Sequence, residues 1–116
     1  MTDPGPRGLT SPQGNHLIPL ADAAAMTARF RSRNPGEVRA WLFDRRAFDA
    51  LMAQTGCAGI RIYRAVKEDG SDQLVVVGTD TTGNDLAPAS SSGDGLVMEW
   101  GWPCPPLCGA PSALGG

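Results

Sequence analysis

Two cysteines with three residues between them stand in Trp100-Gly101-Trp102-Pro103-Cys104-Pro105-Pro106-Leu107-Cys108-Gly109. Proline fixes its own φ, so Cys104 and Cys108 sit on backbone that is partly ordered before folding. Pre-ordering of this kind suits a thiolate site for zinc or another thiophilic metal, or a redox pair. Structural zinc takes four ligands, usually from two short knuckles, and only one such pair is present. Cys57 and His16 are the residues that could complete a set. A disulfide between Cys104 and Cys108 is the third chemistry, and a reducing cytoplasm works against it. The plainer expectation is an extended, polyproline-like strap that lays its apolar side chains over the domain or into a neighbouring chain.

The remaining chemistry is sparse. Cys57 follows Gly56 at an expected helix C-terminus, where the helix dipole raises a thiol pKa, so it reads as a small buried hydrophobe. His16 is the single histidine, and any Ser-His or Cys-His mechanism would have to recruit it from the N-terminal arm. Asp80, Asn84 and Asp85 could hold a hard cation, but the alternating acids and distal Glu of a calcium loop are missing, and Asx-turns account for the same residues. No phosphate-cradling loop and no nucleophile elbow occurs. Acid–base catalysis by Asp80, Asp85 or Glu99 has nothing further to support it.

Trp41, Trp100 and Trp102 are large rings in a chain with 6% aromatic content. On one face of a final strand, Trp100 and Trp102 would make a contact patch. Arg39, Arg61 and Arg64 are placed to stack on such rings or to pair with Glu99. Charge is split: residues 1–67 hold ten Lys and Arg against five acids, a balance of +5, while residues 68–116 hold seven acids and no base, −7, which together give the net −2. Nine of the ten bases are Arg, the side chain suited to bidentate carboxylate pairing. The split suits charge neutralisation across a sheet, or a bipolar surface that docks a charged partner or a second copy. A pI near 5.2 falls short of the basic footprint of a nucleic-acid binder.

These residues need a scaffold, and 116 residues allow one small domain. Such a chain can remove roughly two-thirds of its unfolded surface from water, enough for a core without staples. Its apolar runs are far too short to cross a bilayer. The first residues lack the pattern of a secretory signal, so a cytoplasmic location is expected. Residues 1–17, rich in Pro and Gly, read as a flexible arm. Leu20, Ala23, Ala24, Thr27 and Phe30 recur at helical spacing, and Asn34-Pro35-Gly36 ends that helix. Val38 to Phe43 alternates as a strand does. Asp44 caps a second helix with Phe48, Leu51 and Met52 as its buried stripe, and Thr55-Gly56 closes it.

A hairpin follows, with Ile60 and Ile62 in one strand, a turn at Glu68-Asp69-Gly70-Ser71, and Leu74 to Val77 in the next, whose unbroken apolar run marks it as central. Thr81-Thr82-Gly83-Asn84 is a further turn, residues 87–95 read as a mobile loop, and Leu96 to Trp100 as a last strand, with Pro103 onward unable to continue a sheet. The expected architecture is α+β in the order α-β-α-β-β-β with a mainly antiparallel sheet, the domain spanning 18–102 and a Pro- and Cys-rich tail 103–116.

Leu20 with Ala23 and Ala24, Met26-Thr27, Phe30-Arg31, the run Gly56-Cys57-Ala58-Gly59-Ile60-Arg61-Ile62-Tyr63, Val77-Gly78-Thr79-Asp80 with Gly83-Asn84-Asp85, and Pro103-Cys104-Pro105-Pro106-Leu107-Cys108 together resemble a group of small bacterial proteins with no assigned activity. The resemblance covers residues 18–114. It implies a shared fold and draws attention to Cys104 and Cys108. This chain differs in carrying Phe30 where the group tends to have Tyr, and in its longer Pro/Gly arm.

The function expected from the residues is a non-catalytic binding or assembly module. Trp100, Trp102 and Leu107 would anchor a protein partner or a second copy, with Arg61, Arg64 and Glu99 as the rim. The alternative is a small thiolate metal-binding or redox protein built on Cys104 and Cys108, helped by Cys57 or His16. An enzyme ranks behind both.

Overall fold

The computed structural model describes residues 15–87 and 96–116. Most of the expected N-terminal arm and of the loop at 87–95 therefore lies outside the described residues. The described residues form a small α+β domain with two helices, and every strand pairing among them is antiparallel.

Helix α1 spans Leu20–Arg33, with Asp22 in its first turn and Arg31 and Arg33 in its last, each sign favourable to the helix dipole. Asn34 ends it: its backbone N–H and its side-chain amide both donate to Phe30 O, at 2.9 and 3.1 Å. Strand β1 (Ala40–Leu42) leads into α2 (Arg45–Met52). The Asp44 carboxylate accepts from Arg46 N at 2.8 Å and so satisfies one of the free amides of the first turn, as expected.

Strands β2 (Gly59–Val66) and β3 (Asp72–Thr79) form the hairpin. Its turn closes through Lys67 N to Ser71 O at 2.9 Å, with Asp69 accepting from Ser71 N and Gly70 at φ 89°. β3 is central, between β2 and β4 (Val97–Met98), and Val76 and Val77 are buried. The core they form with Leu51 is small. A second sheet of two strands pairs β1 with β5 (Trp102–Cys104), placing Ala40 opposite Cys104, Trp41 opposite Pro103 and Leu42 opposite Trp102.

Three expectations are corrected here. The last strand does not run through Leu96 to Trp100. It ends at Met98, Trp100 adopts φ 69°, and the chain leaves one sheet for the other. Pro103 does continue a sheet, because β5 lies in a two-stranded ribbon where a neighbour supplies the bond: Arg39 N donates to Cys104 O at 2.8 Å. Of the α2 stripe, Leu51 is buried but Met52, the last residue of the helix, is exposed: one position on, a helix turns its side chain about 100° away from the face that Leu51 buries.

Two glutamines tie the C-terminal segment to the body. Gln54 accepts from Leu96 N at 2.9 Å through Oε1, and buried Gln73 donates to Gly101 O at 3.0 Å. Helix α1 buries no residue. Its small face, Ala23 and Ala24, is half-buried, while Leu20, Met26 and Phe30 stay exposed.

Candidate functional site

The β1–β5 ribbon, the end of α1 and the C-terminal turn enclose a groove of about 560 Å³. Phe30, Trp41, Leu42, Leu107 and Leu114 supply its apolar lining, and Arg31 and Arg39 are its charged residues; no Asp or Glu lines it. Each wall has a local cause. The ribbon presents Trp41 and Leu42. The segment after β5 turns back at once, with Leu107 N donating to Pro103 O at 2.9 Å, and this turn sets Leu107 over the groove. Arg31 Nη1 donates to Leu114 O at 2.6 Å and fixes the C-terminal turn against α1.

Cys104 and Cys108 are joined as a disulfide that closes this turn, and both line the groove. Cys104 is buried and Cys108 exposed. Arg39 Nη2 stands 3.7 Å from Cys108 Sγ. The tail thus folds back on its own domain as a disulfide-closed turn. Cys57 is half-buried and its thiol donates to Gly59 O at 3.4 Å. Among the described residues no group of three or more His, Cys, Asp or Glu is arranged to hold a metal ion. His16, in a left-handed conformation at φ 72°, belongs to no such group.

The six residues expected to form one contact patch are distributed over the fold. Trp102 is opposite Leu42 in the ribbon, and Leu107 lies over the groove. Arg61 and Arg64, an odd number of positions apart on β2, point to opposite faces of the sheet. Arg64 lines a second groove of about 330 Å³ on the far side of Trp41, together with Glu37 and Asp72. Glu99 and Trp100 meet Lys67 instead of an arginine, which corrects the expected pairing: Lys67 Nζ is 3.0 Å from Glu99 Oε1 and 3.1 Å from the centre of the Trp100 ring. The hairpin brings Lys67 to that end of the sheet, and the left-handed turn at Trp100 swings its indole over the ammonium.

Asp85 is occupied as well. Arg61 Nη1 reaches its Oδ1 at 2.5 Å, and the Tyr63 hydroxyl donates to its Oδ2. The hydrogen bond from Tyr63, and then Arg61, hold the Asp85 carboxyl below the usual carboxylate range, while the same bond pushes the Tyr63 hydroxyl up. Asp80 is lowered by the amide of Asn84 and by Thr82, the Asx-turn expected from the sequence. These two acids are thus committed to protein donors.

Comparison with known proteins finds no matching family model, no matching curated relative and no matching solved structure. The groove must be understood from its own chemistry.

Several participants escaped the sequence. Arg31, Leu42 and Leu114 gave no signal beyond their types, because they meet only through contacts distant in sequence, the β1–β5 pairing and the bond from Arg31 to Leu114 O. Arg39 was noticed as a possible ring-stacking partner and is found at the groove. Trp41 contributes a further peculiarity: its Nε1–H is buried without an acceptor among the described residues.

Proposed function

We propose that this chain is a non-catalytic binding or assembly module whose contact face is the outer surface of α1 with the adjoining tail turn. The observation that carries the proposal is the state of α1. A helix of 14 residues buries none of them, and Leu20, Met26 and Phe30 remain 60%, 57% and 43% exposed. Leu17 precedes them at 74%, and Leu107, at 49%, shares a groove with Phe30 at the C-terminal end of the helix. Large apolar side chains gathered on one element mark an interaction surface. Trp102 and Leu107 keep their expected part as anchors, and Arg29 and Arg33 supply the charged rim in place of Arg61 and Glu99, which are engaged within the fold. The occupant is a protein partner or a second copy of the chain. No helix among the described residues is long and apolar enough to cross a membrane, and a cytoplasmic site of action is part of the proposal.

The test is sedimentation and native mass spectrometry of the chain and of Leu20→Glu and Met26→Glu variants, with far-UV circular dichroism to show that the variants fold. Association by the parent and its loss in folded variants supports the proposal. A chain that stays monomeric, and that crosslinks to no protein through α1 in cell extract, rejects it.

The disulfide favours a second reading, a redox pair. One sulfur is buried and the other exposed beside Arg39, the arrangement in which an outer thiolate is stabilised and an inner thiol resolves. A thiolate metal site at Cys104 and Cys108 would first require reduction of this bond. A reduction potential measured against glutathione tests it: a potential well below that pool marks a structural staple and rejects the redox reading.

A further inference from the structure

We infer that the groove beneath the disulfide turn binds a small apolar monocarboxylate, with Arg39 taking the charged end. The groove shares Phe30 and Leu107 with the proposed contact face, but the inference rests on Arg39 and the enclosed lining and does not require association through α1.

The volume, about 560 Å³, lies within the range of small-molecule sites. The lining is dominated by Phe30, Trp41, Leu42, Leu107 and Leu114, so an apolar body gains by leaving water there. The charge is one-sided. Arg31 and Arg39 line the groove, no acid does, and neither guanidinium pairs with a described carboxylate. Arg31 is partly used, since it donates to Leu114 O and packs beside Gly116. Among the described residues the Arg39 side chain has only the weak contact to Cys108 Sγ; it also borders the second groove with Glu37 and Asp72 but makes no ion pair with either, so its fork of donors is available.

One available guanidinium matches one carboxylate, which it can hold by two parallel hydrogen bonds. A phosphate dianion would want further donors, and the groove's second guanidinium, Arg31, is already engaged with Leu114 O. A cationic or neutral ligand would leave Arg39 unpaired at the mouth of an apolar cleft. The ligand class is therefore an aliphatic or aryl carboxylic acid with one ionised group.

The test uses the full chain with its disulfide intact. Decanoate, decanol and decylamine, each below its aggregation concentration, are titrated by calorimetry, and the side-chain amide signals of Trp41, Trp100 and Trp102 are followed by NMR. Decanoate is expected to bind and to shift the Trp41 signal, with decanol about tenfold weaker and decylamine weaker still. Arg39→Gln should cut decanoate affinity about tenfold and leave decanol affinity unchanged. The unchanged decanol affinity shows that the variant keeps the groove. Arg39→Lys should recover part of the loss. Equal binding of decanoate and decanol, an unaffected Arg39→Gln variant, or shifts confined to Trp100 and Trp102 overturns the inference. So does a chain that ignores all three ligands, including one whose groove proves instead to be filled by a partner polypeptide.

Discussion

Gly101 lies against the Phe43 ring so closely that a Cβ built on it would stand 2.6 Å from Phe43 Cε1. The Phe43 ring meets Phe48 edge-on at 6.0 Å between centroids, so it has little freedom to withdraw. Gly101 also accepts from Gln73 through its carbonyl, which pins the crossing between the two sheets. Gly101→Ala should therefore cost about 1–3 kcal/mol through overpacking. Thermal unfolding followed by circular dichroism will read this as a clear fall in Tm, and an unchanged Tm would contradict the contact.

Trp41→Phe separates two effects at one site. The ring is worth keeping, but the buried Nε1–H has no acceptor, and an unsatisfied donor costs about 1–3 kcal/mol. Phenylalanine removes the donor and keeps an aromatic wall, so stability should stay within about 1 kcal/mol of the parent. Trp41→Ala should lose about 3 kcal/mol. Chemical denaturation of both variants provides the comparison.

Replacing Cys104 and Cys108 together by serine opens a loop with a sequence separation of 4. The chain-entropy model assigns about 2 kcal/mol to a loop this short, so the midpoint of denaturation should fall by that equivalent. The parent under reducing conditions should show the same loss. A parent indifferent to reductant would mean that β5 holds its place without the bond.

Acid should weaken the fold through its capped and paired aspartates. The Arg46 side chain and amide hold Asp44 down to about 2, and Tyr63 with Arg61 lowers Asp85. A carboxyl whose folded pKa is depressed stabilises the fold above its unfolded value of about 4, and this contribution is lost as pH falls through the folded value. Stability should thus be flat from neutral pH to about 5 and decline below about 4. Carboxyl-carbon NMR titration should place Asp44 near 2, and Asp44→Asn should flatten part of the decline.

Much of the scaffold was legible because it depends on short-range chemistry. The period of α1, the Asp44 cap, the turn at Asp69-Gly70 and the apolar run that makes β3 central all speak within a few residues of themselves. The site was legible only in pieces. Cys104, Cys108 and Leu107 were marked by their spacing, but Leu42 reaches the groove through a pairing of residues 40–42 with 102–104, and Arg31 and Leu114 through their own long-range bond, neither of which a local pattern encodes. Proline at 103 argued against a strand, and the ribbon tolerates it because each strand of a two-stranded sheet has a free edge at which no N–H donor is required. The choice of Lys67 over an arginine for Glu99 and Trp100 was equally hidden, since it follows from where the hairpin happens to end.

The ribbon also orders events in time. β1 must wait for β5, some sixty residues downstream, whereas β2 and β3 are joined by a short turn and can pair as soon as both exist. During synthesis the hairpin can therefore form while Trp41, Leu42 and the whole of α1 have nothing to rest on. The groove comes into being later, when residues 102–116 have left the ribosome and are drawn back across residues 31–42. A nascent chain that stalls before residue 102 would hold a formed hairpin beside an unpaired β1 with Trp41 and Leu42 uncovered, and at that stage it is open to aggregation or to capture by a chaperone.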